Sequence, residues 1–303
     1  MKFTKKEVSF LSNGVQVAGI LNTPENASKE NPAIVCVHPG SSCKEQTAGI
    51  YAEKFAERGY ITIVFDASYQ GESGGEPRYV EDPSARVEDV RSAVDYLTTL
   101  DNVDNNRIGI LGVCAGGGYA ANAAMTEKRI KAVGAVASAN IGRIYREQNP
   151  IQTLEQIGEQ RTAEANGAEP MITQWIPNSQ EEREEAGIDD IDIKEAIDYY
   201  KTPRGQSPNS PNKLNFVSME KVLAFDAFHL ADQLLTQPLQ IVVGNVKGSF
   251  GSYHDGHELY EKAASKDKDI LVLDGVTHYD LYDQPEPVGK AVDKLEEFYK
   301  KYL

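Results

Sequence analysis

Cysteine is scarce: Cys36, Cys43 and Cys114 are the three thiols in a chain of 303 residues. An odd number at irregular spacing builds no disulfide framework, and without a C-x-x-C pair it marks neither a zinc ribbon nor a dithiol redox site. Reduced thiols and a cytoplasmic location are therefore expected. Basic residues are also short, with 31 Lys and Arg against 46 Asp and Glu, a net charge of −15. Phosphate backbones need cationic partners, so nucleic acid is not an expected ligand. Acidity on this scale mainly keeps a chain in solution. No apolar run approaches the roughly 20 residues that span a bilayer. The opening Met-Lys-Phe-Thr-Lys-Lys-Glu-Val lacks an apolar leader core, so no membrane association is expected. Low-complexity tracts and internal repeats are missing too, which leaves a folded globular chain. It is long enough for one large α/β domain with an insertion, and a homo-oligomer is compatible with it.

What is there alternates. Residues 8–11 and 15–21, joined by Ser12-Asn13-Gly14, read as an antiparallel hairpin at a sheet edge. Residues 33–37, 61–65, 108–111, 133–137, 239–243 and 270–273 are short and almost wholly apolar, as in parallel strands covered on both faces. Helical patterns lie between them, among them 49–58, 84–100 and 117–126. Hairpin first, then β and α in turn, predicts an α/β fold with a mostly parallel central sheet. The rhythm stops once. About a hundred residues lack an apolar strand, too many for a bare loop. We read 140–237 as a largely helical cap inserted into a core made of 1–139 and 238–303, with 226–235 as a helix returning to the sheet. The acidic run Gln180–Glu185 within it reads as a solvated helix face.

Residues 109–118, Gly-Ile-Leu-Gly-Val-Cys-Ala-Gly-Gly-Gly, carry the chemistry. A Gly-x-nucleophile-x-Gly segment between an apolar strand and a helix is a sharp elbow that presents its central side chain, usually Ser, in a strained backbone conformation. Here the central residue is Cys114. His278, in Asp274-Gly-Val-Thr-His-Tyr-Asp280 after the last apolar run, is the expected base. The N–H of Ala115 and an N–H from the loop His38-Pro-Gly-Ser-Ser42, Gly40 first and Ser41 next, are expected to form the oxyanion hole. His38 itself reads as a strut for that loop. Ser73, in Phe65-Asp-Ala-Ser-Tyr-Gln-Gly-Glu-Ser-Gly-Gly75, lacks an elbow and reads as structural. Cys36, inside a strand, and Cys43 read as packing thiols. No G-x-G-x-x-G register exists around Gly112, so a dinucleotide cofactor is not expected.

These four segments in this order resemble the α/β-hydrolase superfamily, and more closely its bacterial dienelactone-hydrolase-like and X-Pro dipeptidyl-peptidase-like members. The resemblance covers most of the chain outside the inserted segment. Dienelactone hydrolases use Cys, Asp and His, so it implies that Cys114 is a competent nucleophile. It also implies an acid at Gly-x-x-Asp after the penultimate strand, but Gly244-Asn-Val-Lys puts Lys247 there. The next carboxylates are Asp255 and Glu258. Asp255 is the expected acid and Glu258 the alternative, and a Cys–His pair with no acid also remains open, since a thiol ionises more readily than a hydroxyl. The His254-Asp-Gly-His257 cluster has a glycine where a rigid metal-binding helix would not, and no metal is expected.

The expected function is hydrolysis of a small ester, lactone or related acyl substrate through a Cys114 thioester, with Trp175 and nearby tyrosines lining the acyl pocket. Two readings stand beside it. One is a catalytically degenerate scaffold that binds a ligand or partner, and the other is an acyltransferase using the same thioester.

Overall fold

Asn13 and Gly14 both hold positive φ, 46° and 82°, as a two-residue hairpin turn with right-handed twist requires. They join β1 (Phe3–Ser12) to β2 (Val15–Pro24) with Ser12 opposite Val15. The computed structural model describes residues 2–303. After the hairpin, β3 (Asn31–Val37), α1 (Thr47–Ala56), β4 (Ile61–Phe65), α2 (Pro83–Thr98), β5 (Val103–Val113), α3 (Ala115–Thr126) and β6 (Ile130–Val136) alternate as the apolar pattern predicts. The Asp82 side chain accepts from the N–H groups of Ser84 and Ala85 with Pro83 in the first turn, which is why α2 starts there.

The segment that follows holds α4 (Ile141–Arg146), α5 (Pro150–Ala165), β7 (Ile172–Gln174), α6 (Gln180–Glu185), α7 (Ile191–Tyr200), β8 (Lys213–Asn215), α8 (Met219–Ala224) and α9 (Ala231–Leu234). It is largely helical, with β7 and β8 paired as a small antiparallel ribbon. The returning helix expected over 226–235 is only the short α9. Asp226 caps the turn before it by accepting from Phe228 N–H at 3.0 Å, so the chain turns at 226–230 before it coils. Then come β9 (Leu239–Gly244), α10 (Ser252–Lys262), β10 (Lys268–Leu273), α11 (Asp280–Asp283) and α12 (Pro285–Tyr302).

Among the described residues eight strands form one sheet in the order β1-β2-β4-β3-β5-β6-β9-β10. The contacts of β1 with β2 and of β2 with β4 are antiparallel, and the others are parallel. Side chains alternate between its faces. In β3, Ala33, Val35 and Val37 join the core under α2 and α3, whereas Ile34 and Cys36 join the core under α1 and α12. On α12, Val288, Ala291, Val292, Leu295 and Phe298 are buried at helical spacing. Each such large side chain contributes about 1.5–3 kcal/mol by leaving water. The strand order reverses at β3, with β4 on one side and β5 on the other. The crevice at the carboxyl ends of β3 and β5 is therefore where an open α/β sheet places its site.

Candidate active site

Cys114 stands in that crevice, between β5 and α3, at φ 56° and ψ −126°. Such a conformation costs a residue with a Cβ about 1–3 kcal/mol. Three backbone hydrogen bonds fix it: Cys114 N–H to Val136 O at 3.0 Å, and the N–H groups of Gly117 and Ala139 to Cys114 O at 2.9 Å each. Glycine at 112 and 116 is a steric requirement. A Cβ on Gly112 would stand 2.1 Å from Gly116 O, and one on Gly116 would stand 2.2 Å from Val37 O.

Burial pushes the Cys114 thiol pKa up. Against this act the charge of His278, hydrogen bonding with His278 and Tyr282, and the N–H of Ala115, and together they bring it below the ordinary thiol value. The sulfur also lies at the head of α3, where the helix dipole favours an anion. His278 is buried in the loop after β10. A reciprocal pair of bonds, Thr277 N–H to Asp280 Oδ2 at 3.0 Å and Asp280 N–H to Thr277 Oγ1 at 3.1 Å, shapes its turn. Its Nε2 lies 3.2 Å from the Tyr282 hydroxyl, and the Phe250 ring meets it edge-on at 5.5 Å. Nδ1, its other nitrogen, has no hydrogen-bond partner among the described residues. Sequence reading missed Tyr282. The signal was its position four residues after His278, one helical turn away.

Neither expected acid reaches the imidazole. Asp255 is wholly buried on α10, but its carboxylate faces α4. Arg143 donates from Nε to Oδ1 at 2.6 Å and from Nη2 to Oδ2 at 2.9 Å, and Asn140 N–H donates to Oδ2 at 2.7 Å. A fork of this kind saturates a carboxylate. Glu258 turns outward to Lys262 Nζ at 2.6 Å. Lys247 is exposed and lies over the Tyr253 ring. Asp255 thus anchors α4 to α10. Arg143→Met is expected to lower stability by about 3–5 kcal/mol by stranding that buried charge. Urea unfolding measures this, and adding Asp255→Asn should restore part of the loss. A single variant as stable as the parent would refute the anchor.

The 38–42 loop borders the same crevice. Ser41 holds φ 56°, and the inserted segment grips it through Asn212 Nδ2 to Ser41 Oγ at 2.9 Å and Ser210 Oγ to Ser41 O at 2.6 Å. His38 is a buried strut. Its Nε2 accepts from Ala67 N–H at 3.1 Å, which leaves the proton on Nδ1, 2.6 Å from Pro39 O. Burial and the neighbouring Arg86 hold its pKa well below the usual value, so it stays neutral. Ser73 is likewise structural, donating to Asp66 O at 2.7 Å and accepting from Ala18 N–H at 2.9 Å. Cys36 and Cys43 are buried, and burial pushes both thiols up.

Above Cys114 opens a space of about 510 Å³, its mouth included. Gly40, Ser41 and Ala115 form its floor with Cys114. Ile141, Ile144, Tyr145, Trp175, Ile176 and Tyr200 also line it, with Phe250, Tyr279 and Tyr282 at the side of His278. No charged side chain lines it. The Tyr200 hydroxyl is buried without a partner among the described residues. Among the described residues two donor groups stand close enough to share an ion, Cys43 with Glu45 and Asp66, and His254 with Asp255 and Glu258. In the first, Lys44 Nζ already lies 2.7 Å from Glu45 and 2.9 Å from Asp66. In the second, Asp255 is committed to Arg143.

Sheet order, elbow and following histidine define an α/β hydrolase. The sequence pattern of the X-Pro dipeptidyl-peptidase (S15) family matches residues 13–166, and the chain belongs to that family of hydrolases. It is similar to the uncharacterised protein YcjY of Escherichia coli strain K12, with 40% identity covering 98% of this chain and 99% of the relative. The crystal structure of the hypothetical protein PA2218 from Pseudomonas aeruginosa matches with a TM-score of 0.90 at 31% identity, over 100% of this chain and 94% of that one. A shorter match, 33% identical over 53% of this chain and 49% of the relative, is to the thiohydrolase aneE of Aspergillus aculeatus. No helix among the described residues is long and apolar enough to cross a membrane.

Proposed function

We propose that this protein hydrolyses esters, lactones or thioesters of an uncharged acyl group through a thioester on Cys114. The observation that carries this is a thiol of lowered pKa, faced by His278, on the floor of a pocket with no charged lining. The Cys114 thiolate adds to the acyl carbon, and the oxyanion forms against the N–H groups of Ala115 and Gly40, with Ser41 N–H as the alternative donor. The tetrahedral adduct collapses by expelling the alcohol or thiol, which takes its proton from the His278 imidazolium. Water then enters. His278 accepts one of its protons as the oxygen attacks the thioester, the C–S bond breaks, and the acid leaves with Cys114 regenerated. The segment 140–237 acts as the cap that shapes the acyl pocket. The thiohydrolase name of one relative agrees with thioester cleavage.

The lining narrows the substrate further. An X-Pro peptide brings an N-terminal ammonium and a dienelactone brings a carboxylate, and neither meets a counter-charge there. An unpaired ion moved into such a site costs several kcal/mol. A butyryl or benzoyl thioester should therefore exceed its succinyl counterpart in kcat/KM by about 100-fold. Gly-Pro-anilide should be turned over more slowly still. Equal rates for butyryl and succinyl substrates would overturn the assignment of the acyl group.

A further inference from the structure

His278 keeps an unpaired nitrogen buried, which is costly unless something uses it. A second orphan lies nearby. Asp192, in the first turn of α7, is 1% exposed. Its Oδ2 accepts from Phe250 N–H at 2.8 Å, while Oδ1 has no partner among the described residues. The two orphans share neighbours. Phe250 binds Asp192 through its backbone and meets the His278 ring with its own ring. Tyr279, packed on His278 at 5.2 Å, feels the Asp192 charge. The loop after β9 is also shaped around this carboxylate. A Cβ on Gly248 would stand 2.2 Å from the Asp192 carboxyl carbon, and Gly248 directly follows Lys247, the position where the family pattern implies an acid.

We infer that Asp192 is the positioning carboxylate of His278, supplied by the inserted segment into the space vacated at Lys247. The inference rests on Cys114 and His278 being the reactive pair. No hydrogen bond joins Asp192 to His278 in this structure. Catalytic hydrogen bonds are often long without substrate and tighten when it binds. Asp192 would take the Nδ1 proton as a hydrogen bond once the imidazole becomes imidazolium, and so stabilise the ion pair with the Cys114 thiolate. The chain order nucleophile, acid, histidine is kept. Around Asp192 the titratable groups are Asp190, which caps α7, Glu195 on α7 and Tyr279 after β10. Gly248 and Phe250 of the facing loop bring none. Burial and Asp190 push the Asp192 carboxyl up to about 6.

The test follows alkylation of Cys114 by iodoacetamide against pH in the full chain, which needs no substrate. Asn at 192 keeps an acceptor for Phe250 N–H but loses the charge. Asp192→Asn should raise the pKa of the thiol and move the rising limb of the profile to higher pH. Alkylation at neutral pH should fall about 10-fold, and kcat about 100-fold with KM within a factor of about two. Asp190→Asn is the control for mere loosening. Asp190 grips Ser249 of the same loop, with Ser249 N–H at 2.9 Å and Oγ at 2.8 Å, and this variant should leave the profile in place. An unshifted profile in Asp192→Asn, or equal shifts in both variants, overturns the inference alone. Slow alkylation of Cys114 in the parent protein overturns the assignment of the thiol and the inference with it.

Discussion

Cys114→Ala should lower hydrolysis of a butyryl thioester by about four orders of magnitude or more, the scale on which losing a covalent nucleophile acts. The fold should survive, because the elbow is held by backbone hydrogen bonds and Ala has the same Cβ in the same strained conformation. Removing the sulfur leaves the oxyanion donors and the pocket in place, so binding of an acyl analogue should persist while turnover goes. In the parent enzyme, a brief reaction should show one acyl group of added mass on Cys114 and none on Cys36 or Cys43. The same asymmetry should appear with iodoacetamide. A thiol whose pKa lies below the ordinary value carries more thiolate at neutral pH than free cysteine, and loses it only as pH falls through the lowered pKa. Cys36 and Cys43 are shifted the other way. Turnover that persisted in Cys114→Ala would end the mechanism. Cys114 alkylating no faster than Cys36 would favour a degenerate scaffold.

The residues that announced themselves in sequence were those fixed by backbone sterics or local order. Gly112, Cys114 and Gly116 were legible because an elbow between an apolar strand and a helix admits few side chains. His278 was legible because it directly follows the last apolar run. The central parallel strands were legible because burial on both faces leaves them mostly apolar, with Thr62 and Gln240 buried among apolar neighbours, whereas β10 at the sheet edge leaves Val272 exposed. Asp255 misled for a related reason. It is the first acid after the expected place along the chain, and nothing local shows that Arg143, 112 residues earlier, already saturates it. Asp192 was hidden altogether. It sits in an acidic stretch, Asp189-Asp-Ile-Asp192, whose carboxylates look alike in sequence, and only the packing of α7 against the loop after β9 buries one of them. Hydrogen-bond partners separated by some sixty or a hundred residues are a tertiary fact, and periodicity carries no trace of them.

Gly116→Ala should cost more than about 4 kcal/mol and leave little folded protein at moderate urea, although it adds one methyl group. Overpacking usually costs about 1–3 kcal/mol because side chains shift to relieve it. Here the obstacles are backbone: the added Cβ would stand 2.2 Å from Val37 O, 2.7 Å from His38 O and 2.8 Å from the Val37 carbonyl carbon. Val37 ends a central strand and pairs with Gly112, so relief requires separating α3 from the sheet. Gly158 and Gly289 supply the contrast. Both lie inside helices, with nothing within 4 Å of an added Cβ. There Ala should stabilise by about 0.5–1 kcal/mol by restricting the unfolded chain. Parallel urea titrations of the three variants separate the effects, and a tolerated Gly116→Ala would show that the β3–α3 contact gives way. The displaced carbonyls belong to the strand that leads into His38-Pro39-Gly40, so whatever fraction still folds should also lose turnover through a shifted oxyanion loop. Close approach of two backbones at Gly116 therefore sets both the stability of the elbow and the distance between the thiol and the 38–42 loop.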